Sequence, residues 1–167
     1  MNLDIDIEDW PARNKAWGEW ETLADRAANA AAEAEQSLAN PRLECSLLLT
    51  SDEEVHTLNR EWRERDKPTN VLSFPMLTRE ELLELPTDGP PVMLGDLALA
   101  YATCAREAEQ KAVPLEHHAA HLIVHGLLHL AGYDHEISDA AAEEMEALEI
   151  RILANMGIAD PYGDRDT

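Results

Sequence analysis

Two histidines, His125 and His129, lie four residues apart in a segment whose apolar composition predicts a helix. Because an α-helix has about 3.6 residues per turn, this spacing stacks two imidazoles within reach of one metal ion. The same helix cannot supply a third ligand, since each turn advances about 5.4 Å whereas a Zn–N bond is about 2.1 Å long. Gly132 is where a helix would end in a left-handed cap, and a reversal there would bring His135 toward the other two. The sequence therefore predicts a metal site formed by His125, His129 and His135.

The spacing of one histidine pair is a weak signal by itself, because the predicted helix is rich in histidine. It carries three more: His117, His118 and His121. Gly132 and His135 favour a metal site over ordinary core or surface histidines, and we place His121 beside the site as a neighbour. A purely structural zinc is less favoured, because such sites are usually closed by a fourth Cys or His. Cys45 and Cys104 lie in other predicted elements, so three ligands with an open position are the simpler interpretation.

The order H-x-x-x-H-x-x-G-x-x-H is the ligand skeleton of the metzincin zinc peptidases. Those enzymes have a Glu general base directly after the first histidine, whereas this sequence has Gly126. A zinc ion with three neutral imidazoles can lower the pKa of a water toward ~7 or polarise a phosphoryl oxygen. Neither role needs Glu at position 126. We therefore expect metal chemistry other than peptide hydrolysis, with a metzincin-like peptidase as the alternative.

Length, charge and cysteine content limit the class of protein. A chain of 167 residues fits one domain. Its 13 basic and 34 acidic residues give a formal charge of −21, which opposes general affinity for nucleic acid or anionic membranes. We find no apolar run of about 18 residues and no signal peptide, so we expect a cytoplasmic protein without membrane association. The two cysteines are then buried hydrophobic residues and not a disulfide.

A polyanion would need a local basic patch, and one segment stands out. Four of the basic residues lie within eight positions: Arg60, Arg63, Arg65 and Lys67. Acidic residues alternate with them, and most mixed charge runs of this kind are solvated loops. From the local sequence alone, an anion-binding segment and a solvated loop are equally good interpretations of these residues. If RNA binds, the contact should be weak, salt-sensitive and confined to residues 60–67.

Hydrophobic periodicity predicts the remaining elements. We expect strands near residues 3–7, 43–50, 71–74 and 93–101. Helices are expected near residues 14–37, 52–62, 102–112, 115–131 and 139–156, of which 115–131 should be central and buried. Val55, Leu58 and Trp62 should face inward, and the tryptophans of the first helix should be core. Residues 78–91 should form a mobile acidic loop with at most one helical turn, and residues 161–167 a flexible tail.

The motifs resemble those of the YbeY family of bacterial endoribonucleases. The matching blocks are His-Gly-Leu-Leu-His-Leu-Ala-Gly-Tyr-Asp-His at 125–135 and Asp-Lys-Pro-Thr-Asn-Val-Leu-Ser-Phe-Pro at 66–75. Leu94-Gly95-Asp96 and the glutamate-rich helix around 145–149 also match, so the resemblance covers most of residues 43–156. It implies one α+β domain over residues 1–160, with a small mixed β-sheet flanked by helices around the metal-binding helix.

The resemblance also implies a function. Members of the family bind one zinc ion through three histidines, here His125, His129 and His135, and their arginine near the metal corresponds to Arg63. They are cytosolic, act on single-stranded RNA, and serve in ribosomal RNA maturation, especially at the small-subunit RNA 3′ end, and in ribosome quality control. We therefore expect a zinc-dependent endoribonuclease whose partners are rRNA and the ribosome or its small subunit. A ribosome assembly factor with a structural zinc is a further alternative.

These expectations assign roles to individual side chains. Arg63, with His125, would be catalytic, because guanidinium binds phosphate with paired donors and offsets charge that grows in the transition state. Asp134 could orient His135 or a water, although capping of the turn is an equally good interpretation. The oligomeric state and the residue that acts as general base stay open.

Overall fold

The computed structural model describes residues 1–11, 19–65, 69–134 and 137–162. These ranges contain four strands: β1 (Asn2–Ile7), β2 (Leu43–Thr50), β3 (Val71–Pro75) and β4 (Val92–Ala100). Six helices accompany them: α1 (Trp20–Ala34), α2 (Asp52–Arg63), α3 (Arg79–Glu84), α4 (Tyr101–Lys111), α5 (Leu115–Leu130) and α6 (Asp139–Asn155). A short 3-10 helix, Gln36–Ala39, follows α1. Within the described ranges, none of these helices is long and apolar enough to cross a membrane.

The strands form one mixed sheet in the order β1-β2-β4-β3. β1, β2 and β4 are parallel, and β3 is antiparallel to β4. The predicted α+β fold, a single small mixed sheet flanked by helices, is confirmed. β3 lies close to β4 at Gly95, where a Cβ would lie 2.5 Å from the Phe74 carbonyl oxygen. A glycine is required there, because its positive φ of 156° and the lack of space both exclude a side chain.

α5 is the central helix, as the sequence predicted, and it packs against α1, α4 and α6 and against β3 and β4. Its fit against the sheet depends on Gly126, since a Cβ at that position would lie 2.6 Å from Leu97 Cδ2. Between His118 and Leu130, every residue of α5 is buried except His125 and His129, which are partly exposed. Beyond its first three residues, which are also partly exposed, the helix is therefore accessible to solvent only at the two predicted metal ligands.

Of the tryptophans predicted to lie in the core, one is buried and another is exposed. Trp20 of α1 is buried and meets Trp10 edge to face at 4.8 Å, which confirms the core interpretation for Trp20; Trp17 lies outside the described residues. The prediction for Trp62 was wrong, because its side chain is 72% exposed. Trp62 follows Val55 by seven residues and therefore lies on the same side of α2 as the buried Val55 and Asn59, but it belongs to the last turn of the helix, where its side chain is left uncovered.

Residues 78–91 contain α3, which confirms the predicted helical turn. Thr78 and Glu81 form a reciprocal capping box at its start. Beyond α3, the Arg42 guanidinium donates hydrogen bonds of 3.0 Å to the carbonyl oxygens of Pro86 and Pro90. The Asn40 side-chain amide donates to the carbonyls of Leu85 and Pro86 at 3.2 Å. The segment predicted as a mobile loop is thus tied to the body of the domain by several hydrogen bonds.

Candidate functional site

A cleft of about 550 Å³ opens beside the C-terminal end of α5. Its lining falls into two groups, which we name by their origin. The histidine side comes from α5 and the turn after it: His125, Gly126, His129, Gly132, Tyr133 and Asp134. The arginine side comes from α2 and the residues that follow it: Asn59, Arg63 and Arg65. Residues 69–73, Pro75 and residues 77–79 contribute further lining.

The two histidines predicted as metal ligands are brought together in this cleft. They occupy successive turns of α5, and their ring centroids lie 4.7 Å apart. The side chain of His125 is 22% exposed, so it is fixed by the surrounding protein yet accessible from the cleft. Two imidazoles at this spacing suit a first-row metal with nitrogen ligands such as zinc.

Glu149 of α6 orients His125, and our sequence analysis assigned it no role. Its carboxylate Oε1 lies 2.5 Å from His125 Nδ1, and its side chain is fully buried. Burial alone would raise the pKa of Glu149, but the neighbouring imidazoles of His121 and His125 outweigh it and lower the pKa to about 2. An ionised carboxylate at Nδ1 makes that nitrogen the proton donor, so His125 would bind a metal through Nε2. This is the usual carboxylate–imidazole arrangement behind a metal ligand.

The sequence did contain a signal for Glu149. It follows Met145 by four residues and precedes Ile152 by three, so it occupies a position on the apolar face of α6. A charged residue on a buried face implies a partner, because unpaired burial of a charge is costly. What the sequence could not show was that the partner would come from α5.

His121 lies beside this pair and not in the cleft lining. Its Nε2 is 3.1 Å from the Tyr162 hydroxyl and 3.6 Å from Glu149 Oε1. The Tyr162 hydroxyl in turn donates a 2.8 Å hydrogen bond to Glu149 Oε2. His121 therefore supports the carboxylate that holds His125. Tyr162 lies in the segment predicted as a flexible tail, but this residue is held by α5 and α6; residues 163–167 lie outside the described part.

The turn after α5 has the geometry that the sequence predicted for it. Gly132 has a φ of +103°, in the left-handed region, and its N–H donates to the His129 carbonyl at 3.0 Å. The N–H of Tyr133 donates to the Leu128 carbonyl at 3.0 Å. These two bonds are the pair that defines a Schellman cap, so the left-handed reversal at Gly132 is confirmed.

The third predicted ligand, His135, lies outside the described residues, as does Lys67. Among the residues that the structure describes, no group of three potential metal ligands is assembled. Asp134 lines the cleft, and its predicted role in orienting His135 or a water stays a prediction. The donor chemistry that is described, two neighbouring imidazoles of which one is held by a carboxylate, fits zinc.

The two arginines of the arginine side are exposed and lie at the end of α2, whereas Asn59 is buried. Glu64 adopts a left-handed conformation with φ of 57°, which ends the helix. The N–H of Arg65 then donates to the carbonyl of Asn59 at 3.1 Å. This reversal places both Arg63 and Arg65 along the cleft, whereas Arg60, one turn earlier and also exposed, does not line it. Two of the four basic residues predicted to bind RNA are thus brought to the histidines.

Comparisons with known proteins agree with the motifs. A family model for Endoribonuclease YbeY matches residues 6–157. A protein named Endoribonuclease YbeY from Erythrobacter litoralis is 67% identical over 165 residues, which cover 99% of each chain. Its counterpart of the same name from Novosphingobium aromaticivorans is 56% identical over 168 residues, covering 98% of this chain and 97% of the relative.

A solution structure of a Thermotoga maritima protein matches with a TM-score of 0.58. It covers 98% of this chain and 91% of its own, and at 21% identity it supports the fold alone. The family model and the two named relatives confirm the family resemblance predicted from residues 43–156.

Proposed function

The chain belongs to the YbeY endoribonuclease family, and from this premise we propose that it is a zinc-dependent endoribonuclease that cleaves single-stranded RNA during ribosomal RNA maturation. The observation that carries the proposal is the pairing of His125 with the buried carboxylate of Glu149, beside His129 and two cleft arginines. A fully buried carboxylate bonded to a partly exposed imidazole is expensive for a merely structural helix, and it is what a metal ligand needs.

The proposed roles follow from the chemistry of each side chain. His125, His129 and His135 would hold one zinc ion. When bound, zinc would supply Lewis acidity toward a phosphoryl oxygen or a water. Glu149 keeps the proton of His125 on Nδ1 and fixes the plane of the ring. Arg63 donates paired hydrogen bonds to two non-bridging oxygens of a phosphate and offsets the negative charge that develops there. Arg65 binds a neighbouring part of the RNA backbone.

Gly126 supports the nuclease over a metzincin-like peptidase. A metzincin would need Glu at this position, but the Cβ of any residue there would lie 2.6 Å from Leu97 Cδ2. Leu97 is 1% exposed and belongs to the core, so it has little room to move aside. The position that carries the general base in metzincins is here used to pack α5 against β4.

The cellular setting is also a proposal. A chain with a formal charge of −21 binds RNA only through a local basic surface, which the arginine side provides. We propose that it works in the cytoplasm on the ribosome or its small subunit, acts at the small-subunit rRNA 3′ end, and serves ribosome quality control. The family membership supports this setting.

The test is cleavage of single-stranded RNA by metal-stripped protein before and after zinc is restored. We expect activity only with metal, and we expect His129→Ala to lose at least the ~100-fold that loss of a supporting partner can cost. His117→Ala is the matched control, because it lies on the same helix and does not line the cleft. Both variants should melt within a few degrees of each other.

Two outcomes would favour the alternatives. Protein that binds ribosomal particles but leaves RNA intact with and without zinc would indicate an assembly factor, especially if His129→Ala collapses the fold. Hydrolysis of unstructured peptides that survives Arg63→Ala would indicate a peptidase.

A further inference from the structure

Arg79, the first residue of α3, contacts two separate parts of the chain, the turn after α5 and the end of α1. Its Nη1 donates a 2.9 Å hydrogen bond to the Ala131 carbonyl oxygen. The same nitrogen lies 3.5 Å from Glu35 Oε1, and the guanidinium carbon lies 5.0 Å from the centroid of the Tyr133 ring. One cation therefore ties α3, the end of α1 and the cap of α5 together.

The contact with Ala131 has a physical reason. The last carbonyls of a helix lack intrahelical donors and carry the negative end of the helix dipole, so a guanidinium stabilises them. Arg79 also packs on Gly132, where a Cβ would lie 2.6 Å from Arg79 Cβ. Glycine at 132 thus satisfies two demands at once: its left-handed φ, and the close approach of α3.

Glu35 completes the cluster from the other side. It accepts a 2.5 Å hydrogen bond from the Tyr133 hydroxyl and a 2.7 Å bond from the Ser37 hydroxyl. Burial opposes ionisation, but the bonds from Tyr133 and Ser37 and the charge of Arg79 together lower the pKa of Glu35 below its ordinary value. Tyr133 is thereby held at its ring by Arg79 and at its hydroxyl by Glu35.

We infer that Arg79, with Glu35 and Tyr133, is a positioning device for the metal site: it fixes the turn 131–134 that connects His129 to the next predicted ligand. The inference rests on the proposed function and deepens it, because it gives the segment 78–91 a role at the site. Without this positioning device, the turn keeps its two cap hydrogen bonds but loses the side-chain contacts that select one arrangement of Gly132–Asp134. A metal held from both sides of that turn is then bound less tightly and in a less regular geometry.

The experiment measures zinc affinity by chelator competition and the visible spectrum of the Co²⁺-substituted protein, both independent of RNA cleavage. Arg79→Ala should weaken zinc binding about tenfold or more and alter the Co²⁺ absorption bands. Arg79→Lys can still donate to Ala131 but cannot stack and bridge in the same way, so it should restore part of the affinity.

Arg42→Ala is the matched control. Arg42 also donates to two carbonyls of the 78–91 segment, yet neither carbonyl belongs to the turn after α5. We expect zinc affinity and the Co²⁺ spectrum of this variant to match those of the wild type, even where its melting temperature falls. An equal loss of zinc affinity in Arg42→Ala would overturn the inference, since general loosening of the segment would explain both.

Wild-type zinc affinity and an unchanged Co²⁺ spectrum in Arg79→Ala would also overturn it, because the cluster would then serve stability alone. If Arg79→Ala does not fold, Tyr133→Phe decides the question, because it removes one hydroxyl and keeps the ring. Reduced zinc affinity in Tyr133→Phe supports the positioning role, and wild-type affinity rejects it. Failure of the proposed function looks different. In that case the wild-type protein itself would not bind zinc, or would bind it without cleaving RNA.

Discussion

The two sides of the cleft are built in opposite ways. On the histidine side, His125 and His129 project from a buried helix, and His125 is held by a carboxylate with no solvent exposure. On the arginine side, Arg63 and Arg65 are exposed at the end of an amphipathic helix. Groups that must hold a metal need fixed geometry, whereas groups that meet a flexible polyanion gain from reach and long-range attraction. The comparison teaches that the side chains expected to hold a metal are fixed by burial and hydrogen bonding, whereas those expected to meet RNA are exposed to solvent.

The largest effect should come from Arg63, if this exposed residue contributes to the transition state. We expect Arg63→Ala to lower kcat for RNA cleavage by ~10²–10³-fold, the usual cost of one lost electrostatic donor. Zinc affinity should not change, since the residue belongs to the other side. Arg26→Ala on α1 is the charge-matched control and should cleave normally. If Arg63→Ala left kcat normal and only weakened RNA binding, the arginine side would attract RNA electrostatically without stabilising the transition state.

Glu149 tests the rigidity of the histidine side. Glu149→Gln keeps the shape of the side chain but loses the charge that holds the Nδ1 proton, so zinc affinity should fall ~10–100-fold. Glu143→Gln, on the exposed face of the same helix, is the control and should bind zinc as the wild type does. Unchanged affinity in Glu149→Gln, measured by chelator competition, would mean that the buried carboxylate serves folding only.

Gly126 tests how closely the metal helix is packed on the sheet. Ala in a helix interior is favoured over Gly by ~1 kcal/mol, but overpacking against Leu97 costs ~1–3 kcal/mol. We expect overpacking to win, so that Gly126→Ala melts a few degrees lower than the wild type. Addition of Leu97→Val should recover part of the loss, because the two sites are in contact and their effects are not additive. Simple additivity in calorimetry would contradict the proposed clash.

Arg65 should give the smallest effect. If it contacts one phosphate of single-stranded RNA, Arg65→Ala should reduce the slope of log affinity against log salt by about 0.7. Arg26→Ala should leave that slope unchanged, although it alters the net charge equally. A slope that fell equally in both variants would show that the arginine side acts through total charge and has no localised contact.

Much of the site could be predicted from the sequence because it depends on local geometry. The pairing of His125 with His129 follows from helical periodicity, and the reversal at Gly132 follows from the conformations that only glycine adopts easily. The strands and most helix ends were predictable for the same reason. The exposure of Trp62 was not predictable, because periodicity gives the side of α2 on which it lies, whereas only packing decides whether the last turn of the helix is covered.

The remainder required contacts between residues far apart in the chain. Glu149 meets His125 across 24 positions, and Arg79 meets Ala131 across 52. Sequence periodicity marks a residue as inward or outward but carries no record of its partner, because distant contacts form only when the helices pack. The sequence by itself thus determined which side chains could bind a metal or a phosphate. The tertiary structure decided which carboxylate holds His125 and which arginines reach the cleft, since burial and mutual distance arise only in the folded chain.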